Sequence, residues 1–238
     1  APLSVTSADY AAELNEIRSL QVNLSGDNRN MVKYWSAGSV LRWNEILREL
    51  VAKHNLPPYQ NDDGSYPTPN ASNPFAYPEF PFSNPPYAAR AYAYVSAAQY
   101  DALIAAAYYQ NIYKRNSPNK VAADIQVLVP GSQLTGYSYP SSESAIAGAA
   151  VEMMKLLFPT EIAFIQQKAY EQKLSRMMVG ASTRSDLEAG EALGKLVASK
   201  FVTRARNDNA GKAIGDVAYW ASLEQMCINR GETPWLSL

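Results

Sequence analysis

The sequence predicts an all-α protein, a multi-helix bundle interrupted by two long loops. Three observations predict it. Apolar residues recur at three- and four-residue intervals over most of the chain, the period of a helix face rather than the alternation of a strand. The periodic stretches are punctuated by serine caps and by proline. No convincing pair of strands stands anywhere along the chain.

The first helix is expected over Ser7 to Gln21, with Tyr10, Leu14, Ile17 and Leu20 on one face. A second is expected from about Asn28 to Trp35, and a third from Ser39 to His54. In the third, Val40, Leu41, Trp43, Ile46, Leu47, Leu50 and Val51 form the apolar stripe, and Arg42, Glu45, Arg48, Glu49 and Lys53 the wet face. From Leu56 to Pro86 the helical period disappears among proline, tyrosine, asparagine and serine. A loop of that length inside a domain is functional or packed more often than it is a linker, and its aromatics argue for packing. A long helix is expected from Pro86 to Tyr113, with proline tolerated in its first turn. It is apolar nearly all round and is therefore expected to be the central, most buried helix. A second loop, Lys114 to Pro140, contains Val127 to Val129, a run that could pass for a strand. Helices then follow over Ser141 to Leu157, Glu161 to Val179 and Ser185 to Arg206, with a short one over Asp216 to Cys227.

Composition narrows the function classes. The chain has 238 residues, 18% of them charged, with a net charge of −1, so a nucleic-acid or anionic-membrane partner is not indicated. The longest apolar run, Ala102 to Tyr109, is too short to span a membrane. The single cysteine, Cys227, excludes an intrachain disulfide and a cysteine-rich metal site, and the single histidine, His54, excludes a multi-histidine zinc site. No metal site is expected. The first residue is Ala1 rather than Met, as expected of a processed N-terminus or of a trimmed chain.

Two segments carry a family likeness. One is Tyr139-Pro140-Ser141-Ser142-Glu143-Ser144-Ala145-Ile146-Ala147-Gly148-Ala149-Ala150, closing at Leu157-Phe158-Pro159. The other is Ser175-Arg176-Met177-Met178-Val179-Gly180, continuing through Arg184-Ser185-Asp186-Leu187-Glu188-Ala189-Gly190 to Leu193-Gly194. Together they resemble the paired signature of the type 2 phosphatidic acid phosphatase and vanadium haloperoxidase superfamily, P-S-G-H followed by S-R-x5-H-x3-D. Gln110 to Pro118 stands where that family has K-x6-R-P. The run Val32-Lys33-Tyr34-Trp35, the Trp43-Asn44-Glu45 turn and Asn84-Pro85-Pro86-Tyr87 also resemble its soluble, secreted bacterial members. The resemblance implies one helical domain of the acid phosphatase/vanadium haloperoxidase type over residues 1–238, secreted or periplasmic, with a C-terminal extension often following in relatives.

In that family, arginines, a lysine and helix N-terminal amides hold a phosphate or vanadate, and two histidines do the chemistry. Mapped residue by residue, Gln110 replaces the lysine and Ser117 the first arginine. Ser141 is retained, Ser142 replaces glycine and Glu143 replaces the first histidine. Arg176 is retained, Ser182 replaces the nucleophilic histidine and Asp186 remains. These positions form a degenerate anion pocket that has lost positive charge and gained a carboxylate, so no cofactor is expected and vanadate is disfavoured. Lys114 and Arg115 lie inside the upstream element and could reach the pocket by a small local rearrangement, although a helix rotation of several residues would misdirect both side chains.

Each residue also has a plain structural role to offer. Glu143 suits a first helical turn capped by Ser141, and its carboxylate could pair with Arg176. Asp186 suits a helix start capped by Ser185, its histidine partner being absent. His54 suits a helix C-terminus. The tyrosines of the long helix suit packing, although an aromatic-rich loop over a helical pocket can also grip a sugar. Three functions stay open. The first is a pseudoenzyme that binds a small molecule, a glycan or a protein, or that has a structural role. The second is an enzyme of altered chemistry, a hydrolase or isomerase with Glu143 and Asp186 as acid and base and Ser182 as a potential nucleophile. The third is a weak acid phosphatase or vanadate-binding haloperoxidase. A homodimer is compatible with all three.

Overall fold

In the computed structural model, which describes residues 1–22, 24–54, 62–63, 85–129, 136–210 and 217–233, the chain is all-α. The helices are α1 (Ala8–Val22), α2 (Gly26–Trp35), α3 (Ser39–Lys53), α4 (Pro85–Tyr113), α5 (Pro118–Val121), α6 (Ser142–Leu157), α7 (Ile162–Met178), α8 (Arg184–Asn207) and α9 (Val217–Asn229), with a 3-10 turn at Pro159–Glu161. Among the described residues there is no strand, only an isolated bridge between Asn116 and Tyr137. Val127 to Val129, the expected strand-like run, is irregular. The second expected loop instead contains the short α5. The expected loop from Leu56 to Pro86 falls outside the described residues up to position 84, apart from 62 and 63.

The chain divides into two compact units, residues 1–46 with 93–202, and residues 47–92 with 203–238. In the first, Ser7 caps α1 by accepting from the Tyr10 amide at 3.2 Å, and Tyr10, Leu14 and Ile17 turn inward to meet Ile125, Met177 and Leu187. Ser25 caps α2 in the same way, accepting from Asn28 N at 3.1 Å. Val32 on α2 packs with Met178 and Val179. Trp35 and Trp43 are buried with ring centroids 5.6 Å apart, and the Trp43 indole donates to Gln172 Oε1 at 2.7 Å. In the second unit, Arg90 donates to Asp208 Oδ2 at 2.6 Å and to the Ala205 carbonyl at 2.6 Å.

The central helix is α6, not α4 as expected. Every residue of α6 from Ser144 to Met154 except Glu152 is buried. On α4, Val95, Ala98, Ala102 and Ala106 face inward, while Tyr100, Ile104, Tyr108 and Ile112 are exposed. Uniform apolarity hid the fact that small and large side chains occupy opposite faces of α4. The small residues of α6 allow something the large ones of α4 could not. Gly190 of α8 lies against the Ser141 carbonyl, Gly194 against that of Ala145, and a Cβ on Gly148 would come 2.6 Å from the Glu191 carbonyl oxygen. Backbone meets backbone there, and no rotamer change can make room.

Two predictions follow from this contact. Gly190→Ala is expected to destabilise the chain by about 2–3 kcal/mol in urea unfolding, whereas Gly26→Ala, with open space around its Cβ, costs nothing measurable. Glu191 beside the contact is raised by burial, but Lys173 at 2.5 Å and Lys195 at 2.6 Å outweigh that and hold it below its ordinary value of 4.5. A lowered folded value means that the stabilisation is present above pH 4.5 and is lost as pH falls through the folded value. Glu191→Gln should therefore flatten the acid limb of stability against pH and leave its alkaline limb unchanged.

Candidate functional site

The site is organised by the segment 137–144, which leads into α6. Ser141 is the N-cap of α6, its hydroxyl accepting from Ser144 N at 3.3 Å. Neighbouring elements hold the segment by main chain and side chain alike. Ser138 N donates to the Arg115 carbonyl at 2.9 Å, and Gln110 Nε2 donates to the Pro140 carbonyl at 2.8 Å. Ser141 N donates to the Asp186 carbonyl at 2.9 Å, and Ser144 Oγ donates to that of Leu187 at 2.6 Å. The position of the first turn of α6 is thereby fixed, and with it that of Glu143.

Glu143 lies against Arg176, with Oε2 3.1 Å from Nε and Oε1 accepting from Nη1 at 3.4 Å. The contact at Oε2 is electrostatic only, because the Arg176 Nε–H donates to Ser175 Oγ at 3.1 Å and Oε2 has no aligned donor. Arg176 Nη2 donates to Ser36 Oγ at 3.1 Å. The two ends of the pair are unequal: the Arg176 side chain is 4% exposed and that of Glu143 35%. Gln172 supports the turn from below, donating to the Glu143 carbonyl at 3.1 Å and to Ser39 Oγ at 2.6 Å. Ser36 also lines a cleft of about 520 Å³ together with Lys33, Tyr34, Arg42 and Val129.

A second ion pair lies deeper. Asp186, fully buried, pairs with Arg115, itself buried. Asp186 Oδ2 accepts from Thr183 N at 2.8 Å and from Thr183 Oγ1 at 3.1 Å, while Thr183 Oγ1 accepts from Asp186 N at 3.4 Å. This is a capping box in which Thr183, not the expected Ser185, caps α8. Arg115 lies over the rings of Tyr139 at 4.7 Å and Tyr10 at 5.3 Å. Burial pushes the Asp186 carboxyl upward, against Arg115, Thr183 and Ser138, which pull it down. The Tyr10 phenol is pushed up to about 12, first by burial and then by the charge of Asp186.

Arg115 is the residue whose direction the sequence left unassigned. α4 ends at Tyr113, and Lys114 takes a left-handed φ of 49°, so the chain reverses and Arg115 turns inward off the helix period. The partner that Asp186 lacked in the sequence is this arginine. The visible signal was the carboxylate itself, since a buried one needs a cation. Gln172, Ser36 and Ser39 had no comparable signal.

The expected pocket positions therefore divide. Glu143 and Arg176 meet, and Ser141 and Gln110 frame them through the main chain. Asp186 belongs to the Arg115 pair. Ser117 precedes α5, buried, with no partner for its hydroxyl. Ser182 is buried just before the Thr183 cap, and Ser142 is half-buried on α6. His54 belongs to the second unit. These residues do not fit a vanadate or phosphate: the arginine faces a carboxylate, the Gln110 amide is engaged by a carbonyl, and neither histidine position holds a histidine. Among the described residues no three His, Cys, Asp or Glu side chains cluster to hold a metal ion, and no helix is long and apolar enough to cross a membrane.

Arg115→Met and Asp186→Asn should each cost about 3–5 kcal/mol in denaturant unfolding, because either leaves a buried charge or donor unpaired. Their combination should cost clearly less than the two together, since the first change already breaks the pair. No protein-family model matches the chain, and no curated protein matches it.

Proposed function

We propose that this chain is a degenerate member of the phosphatidic acid phosphatase and vanadium haloperoxidase superfamily, whose oxyanion pocket is neutralised by its own Glu143. It is a secreted or periplasmic protein that binds a small molecule, a glycan or a protein partner and turns over neither phosphate esters nor halides. The observation that carries this reading is the contact of Glu143 with Arg176 at 3.1 Å. Oxyanion catalysis depends on positive charge concentrated in a poorly solvated pocket, and here the single arginine is already answered by a carboxylate. A shallow depression beside Ser36, with Lys33 and Tyr34 on its wall, is the place such a ligand would use.

The alternative, acid–base chemistry shared between Glu143 and Asp186, is less well supported. Each carboxylate is held by a different arginine, and the Asp186 side chain is 0% exposed, so no substrate can reach it without opening the start of α8.

The test is a calorimetric titration with orthovanadate, repeated with inorganic phosphate. The wild-type chain should show no saturable micromolar binding. Glu143→Gln removes the competing charge and should raise vanadate affinity by about tenfold or more, while adding Arg176→Gln should abolish the gain. Robust hydrolysis of p-nitrophenyl phosphate by the wild-type chain, lost in Ser182→Ala, would overturn the reading and return phosphoryl transfer to this site.

A further inference from the structure

On α4, Tyr100, Ile104, Tyr108 and Ile112 follow one another at four-residue spacing and are 65%, 53%, 63% and 54% exposed. Their neighbours on the opposite face, Ala98, Ala102 and Ala106, are buried. The large side chains thus point away from the core of their unit and the small ones into it, the reverse of what burial would arrange for an isolated surface helix. Between Ala93 and Tyr113 there is one charged residue, Asp101. At the end of this helix the aromatic rings touch one another, Tyr108 of the stripe meeting Tyr109 edge-on at 5.3 Å. Tyr109 stacks on Tyr113 with centroids 6.3 Å apart, and Tyr113 meets Tyr139 edge-on at 5.3 Å.

We infer that this stripe is a two-fold interface at which α4 of one copy of the chain crosses α4 of a second copy, centred on Ile104. Three features point to a second copy rather than a foreign protein. First, Tyr100-Ile104-Tyr108 reads the same in both directions at equal spacing. An antiparallel crossing with Ile104 on the axis sets Tyr100 of each copy against Tyr108 of the other, the self-complementarity a two-fold contact requires. Second, side chains spaced by four form the ridge that interdigitates with its own kind at a crossing angle of about −50°. Third, the charge arrangement is permissive. In this register Asp101 faces Ala107 of the other copy, and the two aspartates are offset by roughly 9 Å along the helices.

The area sets the strength. With a full aromatic side chain offering about 150–250 Å², the four residues expose roughly 400–500 Å² per copy. Counted on both copies this is at most about 800–1,000 Å², at the lower bound for a specific interface, so the dimer is weak and concentration-dependent. The inference is independent of the function proposed above and would survive its failure.

Sedimentation velocity from low to high micromolar concentration reads the outcome. The wild-type chain should move from monomer to dimer across that range, and Ile104→Glu should stay monomeric throughout with an unchanged circular dichroism spectrum and melting temperature. Geometry is tested by cross-linking in a Cys227→Ser background. Ile104→Cys, on the axis, should give a disulfide-linked dimer on mild oxidation, whereas Tyr170→Cys, exposed on α7, should not. A wild-type chain that stays monomeric at high micromolar concentration would overturn the inference and leave the stripe to a foreign partner. A dimer that Ile104→Glu leaves intact would overturn it equally, by placing the interface elsewhere.

Discussion

A carboxylate buried in the first turn of α8 imposes a condition on much of the first unit. Asp186 is there because α8 needs its N-terminal donors satisfied, and the reciprocal bonds with Thr183 use it to do so. Removing that carboxylate from water costs several kcal/mol unless a cation and further donors replace the lost hydration. Arg115 is the cation, and its placement propagates outward. α4 must stop at Tyr113, Lys114 must reverse the chain, and Tyr139 and Tyr10 must stand on either side of the guanidinium. The Arg115 carbonyl then receives Ser138 and the Asp186 carbonyl receives Ser141, so both ends of the strap entering α6 hang from the two members of one ion pair. The arrangement is not free of cost. Among the described residues, Arg115 Nε and the Tyr10 hydroxyl are buried with no hydrogen-bond partner.

A second constraint runs along α6 itself. Gly190 and Gly194 bring α8 against carbonyls at the start of α6, and a buried helix made of alanine, serine and glycine is what permits that approach. The strap determines where α6 begins, and the glycines determine how close α8 lies. Together they place Glu143 on the first turn of α6 within reach of Arg176 on α7.

Much of this was legible in the sequence, and what was not has identifiable causes. Helix positions followed from apolar period and caps, to within about two residues at each end, which is the ordinary uncertainty of helix termini. Ser7 and Ser141 announced their helices because serine stands directly before a periodic run. At α8 two hydroxyls competed for that role, and the nearer, Ser185, was read as the cap, although the Thr183-x-x-Asp186 spacing carried the reciprocal bond. α4 was misread because a helix apolar on all sides gives no moment from which to choose a face, and side-chain size, which did choose, was not weighed. Arg115 stands just past the helix end at Tyr113, which the apolar period locates, but the left-handed turn at Lys114 that aims it inward has no periodic signal. Glu143 and Arg176 could be paired from the sequence because a first-turn glutamate after a serine cap and an arginine near the end of the next long helix are complementary in charge.

The two ion pairs have the same composition but opposite freedom, and this bears on what the site can do. Asp186 cannot leave Arg115 without taking an unsolvated charge through a closed core. Glu143 can leave Arg176 more easily, since its side chain is partly exposed, its Oε1 accepts from Arg176 at 3.4 Å, its buried Oε2 has no hydrogen bond among the described residues, and both oxygens would regain water on rotating outward. A ligand anion approaching Arg176 therefore meets a tethered competitor rather than a fixed wall. Because Glu143 is held on the same turn, its effective concentration at the guanidinium is far above that of a free carboxylate. A ligand must exceed that competition by differential contacts elsewhere, and Tyr34, Lys33 and Arg42 around the adjoining cleft are the groups placed to provide them. An oxyanion would be drawn to Lys33 and Arg42 as well, so the charge of Glu143 at Arg176 is the competition that any anion reaching this side has to overcome.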